Sequence, residues 1–168
     1  LSPAPRIFLL HKPRGVLSGP GPEGSLPVVD ELLPQAHLGW KVVGRLDKDS
    51  SGALLFCEDP HWARFLVEPD RLPKTYAVVV EGYPREDDLE PMRRGGMVLD
   101  GRSLRPLEVE RTGKAPRGGT RLRIVMREGV RRQVRRQFRL LGFEVRCLVR
   151  IAVGPVALGT LGPGEGRE

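Results

Sequence analysis

Hydrophobic and polar positions along this chain fall mostly into short apolar or alternating runs, the pattern of strands, with a few stretches at helical spacing between them. Arg6 to His11 encloses the apolar run Ile-Phe-Leu-Leu and leads into Lys12-Pro13-Arg14-Gly15, a turn carrying two cations. Ser18 to Gly24 is rich in Pro and Gly and reads as a surface loop before a short helix near Val28 to Leu33, which Pro34 ends. Lys41 to Val43 and Ala53 to Cys57 read as buried strands. Between them lies a polar, glycine-bounded loop with Arg45, Asp47 and Asp49. Asp59 as N-cap and Pro60 at the first helical position start an amphipathic helix over Pro60 to Val67, with Trp62 expected in the core.

Leu72 to Val80 enters a further strand that places Lys74 and Tyr76 on one face. Glu86 to Arg94 is acidic at its start and basic at its end, as a helix dipole prefers, and Gly95-Gly96 caps it. Met97 to Leu99 and Leu104 to Glu110 are expected to pair across an Asp100-Gly101 turn, followed by a flexible basic loop over Thr112 to Gly119. Thr120 to Arg127 alternates, with Leu122, Ile124 and Met126 on one face and Arg121, Arg123 and Arg127 on the other. Val130 to Leu141 has the spacing of a helix with Val130, Val134, Phe138 and Leu141 inward. Arg131, Arg135 and Arg139 flank that side, while Arg132 and Arg136 face outward. Glu144 to Val153 alternates again, and Val156 to Leu158 is a short strand. Strands outnumber helices and several are hairpin-linked, which predicts an α+β fold with a mixed, mostly antiparallel sheet.

Composition adds a partner to this picture. The 168 residues suffice for one domain with its own core, residues 1–168, without disulfides or metal, and Cys57 and Cys147 are expected to be free core side chains. No apolar run is long enough to span a membrane, so the expected location is the cytoplasm. A net charge of +7, carried mostly by arginine, and a pI near 10.1 point to a polyanion, and arginine's planar donor set suits phosphates and bases.

Several chemistries lack support. His11, His37 and His61 do not have the close spacing of zinc motifs, and no dinucleotide or phosphate-loop glycine pattern occurs. Asp47 and Asp49 are by local chemistry turn or capping residues; as oxygen donors two apart they also allow a divalent metal, with Arg45 and Lys48 competing for them.

The order of motifs carries a family resemblance. Val43-Gly44-Arg45-Leu46-Asp47, with Asp49, Ser50, Gly52, Leu54 and Leu55 after it, resembles the Gly-Arg-Leu-Asp motif of the pseudouridine synthases, in the branch acting on ribosomal RNA of the small and large subunits. Lys12-Pro13-x-Gly15, Lys74-Thr75-Tyr76, Glu128-Gly-x-x-Arg132-Gln133-Val134-Arg135-Arg136, Leu148-x-Arg150 and Gly164-Glu-Gly-Arg167 are similar to further motifs of that family, in order. The resemblance implies a sheet bent across two lobes of a single catalytic domain, with flanking helices and a central cleft. It also implies a short form lacking the small N-terminal RNA-binding domain of many relatives. The activity implied is isomerisation of uridine to pseudouridine in ribosomal RNA, with 23S RNA favoured, by a monomer that needs no cofactor or metal. The RNA would be met alone or within ribosome assembly intermediates, away from membranes. Asp47 would attack the nucleoside, at the ribose or at the uracil ring, Tyr76 would stack on the target base, and Arg135 would pair with Asp47. Arg45, Lys12, Lys74, Arg131, Arg132, Arg136 and Arg150 would contact RNA. Extracting a base from its stack costs a few kcal/mol, which an aromatic platform and phosphate contacts offset.

Overall fold

In the computed structural model, which describes residues 3–21 and 27–168, Gly52 to Cys57 are buried without a break. The part of the 18–24 loop beyond residue 21 lies outside the described residues. Strands β1 (Ile7–Lys12), β2 (Lys41–Val43) and β3 (Ser51–Cys57) form the centre of one of two compact units, which comprises the chain up to Leu72 and Arg150–Glu168. β3 pairs antiparallel with β1 from Ile7↔Cys57 to Lys12↔Gly52, and with β2 from Lys41↔Cys57 to Val43↔Leu55. A strand covered on both faces needs apolar residues at consecutive positions, and Ala-Leu-Leu-Phe-Cys supplies them.

The expected helix near Val28 to Leu33 is a single 3-10 turn, Val29–Leu32, followed by a second at Gln35–His37. Pro34 between them removes a backbone donor, so neither turn propagates. Helix α1 (Pro60–Leu66) begins as expected, with the Asp59 carboxylate accepting from the His61 and Trp62 amides. Its core side is Ala63 alone, however, and Trp62, expected inside, is 36% exposed. The indole instead packs edge-on against Phe65, which the Arg71 guanidinium covers at 4.1 Å.

The second unit, Pro73–Val149, holds β4 (Lys74–Glu81), α2 (Glu86–Arg94), β5 (Val98–Leu99), β6 (Arg102–Ser103), β7 (Glu108–Ala115), β8 (Gly119–Met126) and α3 (Gln133–Leu140). β8 lies between β7 and β4, in antiparallel register with β4 from Lys74↔Met126 to Glu81↔Gly119. Its alternation is as expected: Leu122, Ile124 and Met126 are buried, Arg121 and Arg123 exposed. Helix α2 buries Leu89 and Met92 and is tied down by Arg93, which donates to the Val109 carbonyl at 3.0 and 2.8 Å.

Three expectations change here. The hairpin across Asp100-Gly101 joins β5 to the two-residue β6, not to a strand over Leu104 to Glu110. The segment read as a flexible loop, Thr112 to Gly119, is mostly ladder: Gly113↔Arg121, Lys114↔Thr120 and Ala115↔Gly119 pair, with the register shift between Arg111 and Gly113 absorbing Thr112. Backbone pairing, to which polar side chains are indifferent, is invisible to a hydrophobicity pattern. Helix α3 starts at Gln133 rather than Val130, because Arg132 takes a left-handed φ of 53° that no helix continues through.

β9 (Val145–Val153) carries the chain out of the second unit and into the first, where β10 (Val156–Ala157) pairs with its end and β11 (Gly166–Arg167) pairs with β1. Its alternation does not persist: Val145 is buried, but so are Leu148 and Arg150, and Cys147 is exposed. Cys57 is buried as expected, and both thiols are free. The fold is α+β with a mixed, mostly antiparallel sheet, as the pattern predicted.

Gly52 tests this packing. Its φ is 116°, and a β-carbon there would overlap the backbone of Arg150. Gly52→Ala is expected to lower unfolding stability by at least ~2 kcal/mol in urea titration. Gly15→Ala, at φ 89° with open space around it, should cost only the backbone strain, about 1 kcal/mol.

Candidate active site

The loop between β2 and β3 is shaped by its backbone. Gly44 turns the chain at φ 78°, and Leu46 sinks into the core of the first unit as an apolar plug. The Leu46 peptide is gripped from both sides by one hydroxyl: Ser18 Oγ donates to its carbonyl at 2.6 Å and accepts from its amide at 3.0 Å. The Gly15 amide donates to the Lys48 carbonyl at 2.6 Å, and the Ser50 amide closes a turn on the Asp47 carbonyl at 3.0 Å. Asp47 therefore sits on a loop whose neighbours on both sides are fixed, with its own side chain half-buried.

Two cations lie beneath this loop. Lys12 has no exposed surface, and its Nζ donates to the carbonyls of Pro13 at 2.9 Å and Val16 at 2.7 Å. Burial pushes its ionisation down to about 8, against the pull of the Asp47 and Asp49 carboxylates, with Arg150 adding to the depression. Arg150, 2% exposed, donates through Nε to the Ala53 carbonyl at 2.7 Å and through Nη1 to the Arg45 carbonyl at 3.2 Å. Both residues were expected to contact RNA; here their heads are turned inward onto backbone oxygens. Arg45 alone of the cations assigned to RNA in this unit presents an exposed side chain.

The second unit holds the other expected residues. Tyr76 stands on the inward face of β4, opposite Ile124 of β8 and 8% exposed, while Lys74 two residues earlier is half-buried opposite Met126. Arg135 lies on α3, half-buried, and Arg131 and Arg132 on the segment before it. That segment is held by two polar residues of the Glu-Gly-x-x-Arg-Gln motif to which no role was assigned. Gln133, 2% exposed, accepts the Val130 amide through Oε1 and donates to Glu128 Oε1 at 2.8 Å, while the Arg105 amide donates to the same Glu128 oxygen. Arg136, expected to reach RNA, forms a two-pronged ion pair with Asp100 at 2.6 and 2.8 Å, which holds that carboxyl below its usual range. Ser18 could not be found from local sequence, because its partner is 28 residues away; Glu128 and Gln133 could, because they belong to the Glu-Gly-x-x-Arg-Gln motif.

Among the described residues no group of three or more His, Cys, Asp or Glu is gathered as a metal site would require, and no helix is long and apolar enough to cross a membrane.

Comparison with known proteins gives a consistent family. A family model described as RNA pseudouridylate synthase matches residues 6–140. The chain is 33% identical over 177 residues to ribosomal large subunit pseudouridine synthase E of Vibrio parahaemolyticus, spanning 97% of this chain and 73% of that protein. It is 36% identical to the enzyme of the same name from Xanthomonas campestris, spanning 96% and 94%, and 33% identical to ribosomal large subunit pseudouridine synthase B of Bacillus subtilis, spanning 98% and 68%. A crystal structure of a pseudouridylate synthase superimposes with a TM-score of 0.83 at 25% identity, covering 98% of this chain and 70% of that one.

Lys12 makes the site pH-sensitive in a defined direction. Its proton is held less tightly folded than unfolded, so between about 8 and the ordinary lysine value of 10.5 the unfolded chain binds more protons and stability rises with pH. Urea titrations from pH 7 to 10.5 should show wild type gaining stability relative to Lys12→Met across that window. A difference between the two that does not change with pH would contradict the assignment.

Proposed function

This chain belongs to the RNA pseudouridylate synthase family and is an RNA-modifying isomerase, and from that premise we propose that it converts a specific uridine to pseudouridine in ribosomal RNA of the large subunit, with Asp47 as nucleophile. The reaction exchanges the N1 link of uracil to the ribose for a C5 link; it is redox-neutral and adds no group. What it requires of the protein is a positioned carboxylate, a platform for the extruded base, and a way to remove the C5 proton.

The observation that carries the reading is the Asp47 loop itself. Serine, lysine and arginine side chains capture backbone groups from Pro13 to Ala53 around it, so that a half-buried aspartate is held on a rigid support. A residue that served only to make a turn would need none of this, since the Ser50 amide already closes that turn.

The remaining roles follow from chemistry. Tyr76 is the aromatic platform and assists at C5. Arg135 is the cation that keeps the nucleophile ionised. Arg45, Lys74, Arg131 and Arg132 hold the RNA. Lys12 and Arg150 act on the loop from below instead. The protein works as a monomer in the cytoplasm, as a single catalytic domain of two lobes, on free large-subunit RNA or on assembly intermediates.

Asp47→Asn should abolish pseudouridine formation in a 23S RNA transcript, read by carbodiimide mapping, with affinity for that transcript within twofold of wild type. Retained activity would sink the nucleophile assignment. Tyr76→Ala should lower kcat/KM by roughly 10- to 100-fold, the worth of one base stack, and Tyr76→Phe should restore the part due to stacking but not the part due to the hydroxyl.

A further inference from the structure

The second unit contains a long hairpin that none of the roles above uses. From Arg111 to Arg123 the sequence has no Asp or Glu. Several arginines of this unit are matched by carboxylates: Arg93 and Arg111 by Glu86, Arg136 by Asp100, Arg139 by Glu144 and Arg146 by Glu81. Arg123 stands cross-strand from Glu110. Lys114, Arg117 and Arg121 are exposed and form no salt bridge among the described residues, and all three cluster at the closed end of β7 and β8.

That end is rigid. Arg146 donates to the Pro116 carbonyl at 2.6 Å and the Arg117 carbonyl at 2.9 Å while paired with Glu81 at 2.6 and 2.8 Å. The Gly82 amide donates to the Gly118 carbonyl at 2.8 Å, and Thr120 Oγ1 to the Gly82 carbonyl at 2.7 Å. Arg117 is held at φ 56°, a conformation that Gly, Asn or Asp adopts far more readily. A turn that carries an arginine where asparagine would fit better keeps it for its side chain. Tyr83, 59% exposed, has its hydroxyl 3.9 Å from where a β-carbon on Gly118 would stand, so an exposed aromatic residue reaches the turn that carries Arg117.

We propose that this hairpin tip is a separate RNA-docking surface, on which Lys114, Arg117 and Arg121 take phosphates and Tyr83 stacks against an unpaired base. Charge complementarity selects the partner: three exposed cations without a salt bridge, on a fixed tip that an exposed tyrosine reaches, fit the repeating phosphates and bases of a polynucleotide. The inference rests on the reading of the chain as an enzyme acting on RNA, and it supplies affinity away from the Asp47 loop.

The test uses the full chain, a labelled 20-nucleotide oligouridylate and a 23S RNA transcript, with Kd measured from 50 to 300 mM salt. Combining Lys114→Ala, Arg117→Asn and Arg121→Ala should weaken both complexes by about 10-fold or more at physiological salt. It should also lower the slope of log K against log salt by about 2, as expected for three lost phosphate contacts. Asparagine retains the left-handed turn, so thermal melting should match wild type, and Arg117→Asn alone should lower the slope by about 0.7. Tyr83→Leu should weaken oligouridylate binding by about 5-fold or more with the slope unchanged. Affinities within twofold of wild type with an unaltered slope, or a wild-type chain that binds neither probe, would overturn the proposal. Because binding is read without turnover, wild type that binds RNA but makes no pseudouridine would count against the functional reading and leave the tip standing.

Discussion

A lysine with no exposed surface must find acceptors for its ammonium, and in this protein the acceptors are backbone carbonyls of the segment that follows β1. Lys12 takes Pro13 and Val16, and Arg150 takes Ala53 and Arg45. A charge removed from water is costly unless it is met by such groups, so the segments supplying them cannot move independently of the cations. The loop with Asp47 is built over this pair, and its rigidity follows from their burial. Gly52 belongs to the same arrangement, since only a residue without a β-carbon lets Arg150's backbone lie where it does.

The second unit repeats the principle with neutral and paired groups. Gln133 and Glu128 bridge across the segment that carries Arg131 and Arg132, and Asp100 holds Arg136. Arginine thus serves two ends in one chain. Some guanidiniums are structural, closing carbonyls and carboxylates as Arg146, Arg93 and Arg150 do, and others are left facing solvent, where the net charge of +7 becomes a surface for a polyanion. Counting basic residues could not separate the two, because the distinction lies in what each head touches.

Much of the fold was legible. The strands around Asp47, the capped start of α1, the full extent of α2 and the alternation of β8 all follow from spacing and capping chemistry, and the family motifs placed the chain's activity. The misreadings have separate causes. Thr112 to Ala115 pairs through its backbone and shows no apolar period, α3 begins late because Arg132 turns left-handed, and Trp62 stays at the surface because α1 rests on Ala63 alone.

The sequence by itself determined which residues are chemically equipped to act: an aspartate in a glycine-bounded loop, a tyrosine entering a strand, arginines along a helix. Those properties are local, written in spacing and side-chain type. Only the tertiary structure decided which cations are available. Lys12 and Arg150 look on paper as fit for RNA as Arg45, and folding turned them inward because the loop's carbonyls needed donors and the core beneath it had no water to offer.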